Sequence, residues 1–145
     1  MITNLRKGIA NLPDPNKRSE TMDEYFENEF AVFWISENIL FFEYKPDVVI
    51  NLAAAQRIVA DRIQMQNEKA YPVLCDIRGI SDSDKAARDY LAQHGSVLTK
   101  AVSILAHQTV SILMISFYLK ISKPQVPTKV FSDKPAALKF LKAFV

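Results

Sequence analysis

Between Cys75 and Asp84 the chain reads CDIRGISDSD, which sets a thiol, an Asp–Arg pair and two serines among aspartates close together. Asp76 and Arg78 stand two apart at the end of an apolar run. On a strand they share one face, where they could hold a ligand together or form an ion pair that anchors the loop. Ser81, with Asp84 three residues on, has the form of a helix cap with an acid at the positive end of the dipole. A phosphate on the Ser83 hydroxyl would gain from the same helix end but stand between Asp82 and Asp84. His107 has a reference pKa near neutrality and so could serve as acid, base or ligand.

Several kinds of chemistry lack their spacing. His94 is the second of the two histidines and Cys75 the single cysteine, which leaves no zinc pattern. Gly8, Gly79 and Gly95 are isolated, so no glycine-rich phosphate loop is formed, and no nucleophile elbow flags a Ser-His-Asp triad. Asp76 as a phosphoacceptor of the response-regulator type would need an acidic pair after the first strand, and there is none. The expectation is a protein without enzymatic activity, with no cofactor and no metal. Cys75, among Pro72, Val73, Leu74 and Ile77, reads as a small buried side chain.

Composition bounds the rest. A chain of 145 residues, 49% hydrophobic and 23% charged, suits one domain with its own core. Eighteen basic residues against sixteen acidic give a net charge of +2, spread without a basic stripe, which argues against nucleic acid as partner. Arg6 and Lys7 are followed by Pro13-Asp14-Pro15 rather than an apolar run, so a cytoplasmic location is expected. Residues 101–119 carry no formal charge with His107 neutral and approach a bilayer's length. His107-Gln108-Thr109 interrupts them, so they read as a strand and a helix rather than a membrane span.

The elements that must position these residues follow from periodicity. Residues 1–24 are polar and proline-punctuated and read as an N-terminal arm; residues 25–145 form a single domain. FAVFWI and ILFFEY, separated by Ser36-Glu37-Asn38, predict an antiparallel hairpin. Asn51 caps a helix to Gln66 on which Leu52, Ala55, Val59, Ile63 and Gln66 recur. Tyr71–Ile77 is a strand covered on both faces. Asp84–His94 is a helix burying Ala87, Tyr90 and Leu91, stopped at Gly95. Then come a strand over Ala101–Ala106, an apolar helix over Gln108–Ile121, a strand at Lys129–Phe131 and a helix over Pro135–Phe144, capped by Asp133 or Ser132. The fold class is α/β: a mostly parallel sheet of about five strands built from repeated βα units, with the antiparallel N-terminal hairpin at one edge.

This succession resembles the STAS family, the domain of anti-sigma-factor antagonists and of sulphate-transporter tails. The local match is a strand, Asp76, a Gly-containing bend, then Asp82-Ser83 leading into a helix. The outline is similar to uncharacterised stand-alone bacterial members, and the family's Ser/Thr-Gly-Leu continuation is replaced by Asp84-Lys85-Ala86. The resemblance implies a non-catalytic regulatory or protein-interaction module and gives Ser83 the phosphoacceptor's position.

In a parallel sheet, ligands collect beyond the carboxyl ends of the strands. That border is expected to gather Asp76, Arg78, Ser81 and Asp82, then His107 and Gln108, then Asp133, with free backbone amides that favour an anion. The alternative function is a small-molecule or lipid-binding protein, taking an apolar or anionic ligand there. Residues 110–119, apolar on more than one face, are the candidate contact for another protein or a second copy of the chain.

Overall fold

The hairpin is tight for a local reason. In the computed structural model, which describes residues 24–106, 115 and 123–145, Glu37 and Asn38 take left-handed φ angles of 52° and 65°. That is the pattern of a two-residue type I′ turn, whose twist suits paired strands. A short strand, β1 (Tyr25–Glu27), precedes β2 (Ala31–Ser36) and β3 (Ile39–Tyr44), and each neighbouring pair is antiparallel. The bend between β1 and β2 is held by Asn28, whose side-chain oxygen Oδ1 accepts the amides of Phe30 and Ala31 at 2.8 and 2.9 Å. Its side-chain nitrogen donates to Asp61 at 2.9 Å.

Two βα units follow: β4 (Val48–Ile50), α1 (Leu52–Gln66) and β5 (Tyr71–Asp76), then β6 (Ile80–Ser83), α2 (Lys85–His94) and β7 (Thr99–Leu105). The chain closes with β8 (Thr128–Phe131), α3 (Lys134–Leu141) and a 3-10 turn over Lys142–Phe144. The main sheet runs β1-β2-β3-β5-β7-β8 and is parallel from β3 onward. It has six strands rather than about five. The additional strand is β1, whose three residues are too few to show an alternation and are extended by pairing with β2. A separate two-stranded parallel sheet, β4 with β6, was also not foreseen.

Alternation along the strands divides the core in two. One face sets Phe33, Leu40, Phe42, Tyr71 and Val73 against Ala54, Ala55 and Ile58 of α1 and Ala87 of α2. The other sets Ile39, Leu74, Ala101 and Leu105 against Ala137 and Leu141 of α3. β5 contributes to both faces, which is why its sequence is a continuous apolar run.

α1 begins as expected, with the Asn51 side chain accepting the Ala54 amide at 2.9 Å. Its buried stripe is rotated from the expected one, however: Ala54, Ala55, Ile58, Val59, Arg62 and Gln66 point inward while Leu52 is exposed. The reason is polar. The Arg62 guanidinium donates to Gln66 Oε1 and to the Gly95 carbonyl at the end of α2, and Gln66 Nε2 donates to the carbonyls of Lys69 and Leu98 at 3.0 and 2.8 Å. These two side chains donate to carbonyls of the loop after α1 and of the end of α2, and so tie those segments to the buried face of α1. Burial in turn lowers Arg62 to about 10, against the opposing influence of Cys75 and Tyr44.

Apart from Ile115, which is helical, the expected helix at 108–121, with its candidate contact at 110–119, lies outside the described residues, as do residues 1–23 of the arm. Among the described residues no helix is long and apolar enough to cross a membrane.

Candidate functional site

β3 and β5 lie side by side in parallel with Glu43 opposite Asp76, so their carboxyl ends leave the sheet together. The chain leaves β3 through Lys45-Pro46-Asp47, where Asp47 has φ 58°, and runs into β4. It leaves β5 through Ile77-Arg78-Gly79 and runs into β6. β4 and β6 then pair, Val48 with Ile80, Val49 with Asp82 and Ile50 with Ser83, so one outgoing turn is fastened to the other. Gly79 makes this crossing possible. A Cβ there would lie 2.4 Å from the Lys45 carbonyl oxygen and 2.5 Å from that of Tyr44, closer than any side chain permits. The Gly79 carbonyl accepts the Val48 amide at 3.2 Å, and the Ser81 hydroxyl donates to the Val48 carbonyl at the same distance.

Above this crossing Asp76 is nearly buried and receives three hydrogen bonds from one neighbour. Arg78 donates its backbone amide at 3.0 Å, Nε at 2.9 Å and Nη2 at 2.8 Å. The two side-chain bonds form the bidentate fork that guanidinium and carboxylate geometry favours. The pair is asymmetric in exposure: the side chain of Arg78 is 44% accessible and that of Asp76 12%. Asp76 is therefore the anchor and Arg78 the group presented, held in its charged form chiefly by the hydrogen bonds it donates to Asp76.

Glu43 completes the charged grouping. Burial raises its pKa; Lys134 opposes that most strongly, Asp76 adds to it and Arg78 opposes it. Lys134, at the start of α3, also lies over the Phe41 ring at 5.8 Å from the centroid. Glu43, Asp47, Asp76, Arg78 and Ser81 line an open depression of about 510 Å³, with Pro46 and Ile80 as apolar wall.

Ser83, at the end of β6, lies two residues beyond Ser81 and does not line the depression. Its hydroxyl accepts from Arg88 Nη1 at 3.2 Å, and its amide donates to Asp82 Oδ1 at 2.9 Å. The cap of α2 is Asp84, which accepts the Ala87 amide at 2.8 Å, and not Ser81. Ser81 is committed to the Val48 carbonyl and to β6, which ends one residue before the cap. Asp133 likewise caps α3, accepting the Ala136 amide at 3.1 Å.

The border thus brings Asp76, Arg78 and Ser81 together, with Asp82 and Ser83 further along β6 and not in the lining, while Asp133 serves a helix end. His107 and Gln108 lie outside the described residues. Sequence reasoning missed Glu43 and the role of Gly79. Lys45-Pro46-Asp47, directly after the strand, was the available signal that Glu43 lies near a strand end. On the other sheet face the Cys75 thiol is pushed up to about 12, first by burial and then by Asp76, and stays protonated at neutral pH. Among the described residues no group of three or more His, Cys, Asp or Glu could hold a metal ion. What the border offers chemically is a fixed frame of donors and acceptors able to hold a polar group.

The family described as "Domain of unknown function (DUF7793)" matches residues 33–145. Among solved structures, an uncharacterised protein from the DUF3478 family with a SpoIIAA-like fold, from Shewanella loihica PV-4, matches with a TM-score of 0.58. The two are 15% identical, and the match covers 79% of this chain and 97% of that one. At this identity the likeness shows the fold alone, which is STAS-like. Comparison with curated proteins gives no match.

Proposed function

We propose, for a chain that belongs to the family Domain of unknown function (DUF7793), a non-catalytic regulatory or protein-interaction module of STAS type. Its recognition surface is the carboxyl border around Asp76, Arg78 and Ser81. The observation that carries this is the clamped arginine: a half-exposed guanidinium held by a nearly buried carboxylate, on turns that β4 and β6 fasten together. Groups fixed in this way lose little freedom on binding, which favours recognition.

Affinity capture from the source organism tests it. A co-purifying protein should be lost with Arg78→Glu and with Asp47→Lys, and kept with Lys100→Glu, an exposed change at the opposite end of β7. Capture indifferent to both border changes would remove the proposal.

A switch at Ser83 is a second reading, favoured by the Arg88 guanidinium 3.2 Å from its hydroxyl. That cation would offset the repulsion of Asp82 and Asp84 against a phosphate. Mass spectrometry of the native protein should then find phosphate on Ser83, and Ser83→Asp should change partner capture. An unmodified serine with unchanged capture would rule it out.

A further inference from the structure

The border depression has two features that point to one kind of ligand, and both concern polar groups without a hydrogen-bond partner among the described residues. Arg78 carries five N–H donors arranged as two forks. The side-on fork, Nε with Nη2, is taken by Asp76. Among the described residues Nη1 has no partner, so the end-on fork of Nη1 and Nη2 remains open on a side chain that is 44% accessible. Glu43, opposite Asp76 across the strand pair, lines the same depression, and its carboxyl group has no hydrogen bond among the described residues. The charged groups that act on it are Lys134 from the start of α3, Asp76 from β5 and Arg78 from the turn beyond it.

We propose that this depression is a carboxylate-binding site, in which the open fork of Arg78 holds the anion and Glu43, in its acid form, donates a hydrogen bond to one of its oxygens. The inference rests on the border being a recognition surface and names the chemistry it takes. The proton comes from solvent on binding, and no covalent bond changes. A planar, singly charged group suits the guanidinium fork. A phosphate dianion suits it less, because Asp47 and Asp76 line the same wall and their negative charge would repel it. Partial burial raises the pKa of Glu43 above its ordinary value, and a bound anion beside it raises it further, which draws the proton in. Pro46 and Ile80 give the ligand's body an apolar rest. The carboxylate can belong to a free organic acid or to the C-terminus or an acidic side chain of a partner protein.

The test is an NMR titration of the full chain, following backbone amides and the Arg78 Nε–H signal. The probes are benzoate, its neutral analogue benzamide, inorganic phosphate, and one short peptide with a free or an amidated C-terminus. Benzoate should shift the Arg78 and Glu43 signals saturably, with benzamide and phosphate weaker by about tenfold or more. Above the pH at which Glu43 titrates, affinity should fall by about tenfold per pH unit, one proton being taken up per ligand. Glu43→Gln should abolish that slope. Arg78→Lys, which keeps the charge and loses the fork, should weaken binding by about tenfold. The double change Asp76→Asn with Arg78→Gln removes the pair without leaving a buried charge, and should abolish binding. A free-terminus peptide that outcompetes benzoate assigns the carboxylate to a partner protein, and the reverse order assigns it to a small acid.

Benzoate binding that is absent, unaltered by the double change, or independent of pH overturns the site. If carboxylates fail while Arg78→Glu still loses the captured partner, the recognition surface stands and this inference falls. If carboxylates bind while capture ignores the border, the inference stands and the module reading falls.

Discussion

Glu43 shows how one residue's surroundings become a property of the whole chain. Burial favours its neutral form, so in the folded protein it titrates above its ordinary value of 4.5. Between the two values the folded chain keeps a proton that the unfolded chain has released. The stability this group contributes is complete below pH 4.5 and is lost as the pH rises through the folded value. Glu43→Gln should therefore raise the melting temperature at pH 7 and lose that advantage below pH 4.5. Because the carboxyl is partly exposed, solvent screening keeps the gain below about 1 kcal/mol. Thermal melts of both proteins at the two pH values check it, and a gain that persists in acid would contradict the sign. Arg62 shows a second cost of burial, offset by the carbonyl of Gly95 and by Gln66.

At the scale of elements, the crossing of the two outgoing turns depends on a missing side chain. Gly79→Ala would press a methyl group against the backbone carbonyls of Lys45 and Tyr44, which belong to the end of β3 and the turn that leads into β4. A loss of about 2 kcal/mol or more is expected, by analogy with overpacked cores. Urea denaturation measures it, and a change under about 0.5 kcal/mol, the range of an ordinary surface substitution, would mean that the crossing yields easily. This element marks the limit of what could be read beforehand. α1, α2 and α3 were legible because Asn51, Asp133 and Gly95 punctuate apolar residues at helical spacing, although α2 takes Asp84 as its cap. β5 was legible as a continuous apolar run. β4 and β6 were not, since VVI and ISDS have no strand signature of their own and are extended by pairing across about thirty intervening residues. The same gap hid part of the site. Asp76 and Arg78 announce themselves as neighbours, whereas Glu43 joins them only through the parallel register of β3 and β5. The aromatic run around Glu43 read as one arm of a hairpin, which hid its second neighbour.

For the whole molecule, position in the sheet sets resistance to opening. β5 is paired on both sides and packed on both faces, whereas β1 and β8 each have one strand partner in the described sheet. Hydrogen exchange should therefore be slowest in β5 and faster in β1 and β8 by on the order of a hundredfold. Exchange mass spectrometry reads this directly, and a β1 that outlasts β5 would contradict the packing. The charged border belongs to the slow part of the molecule, because Glu43 and Asp76 end its central strands. Ile50 and Ser83, partners in the small sheet, each stand one residue before a helix cap, Asn51 and Asp84. Neither helix can tilt at its start without dragging its companion, so a tug delivered at Ser83 reaches Asn51 along a single rung of backbone and has no need to travel through the interior.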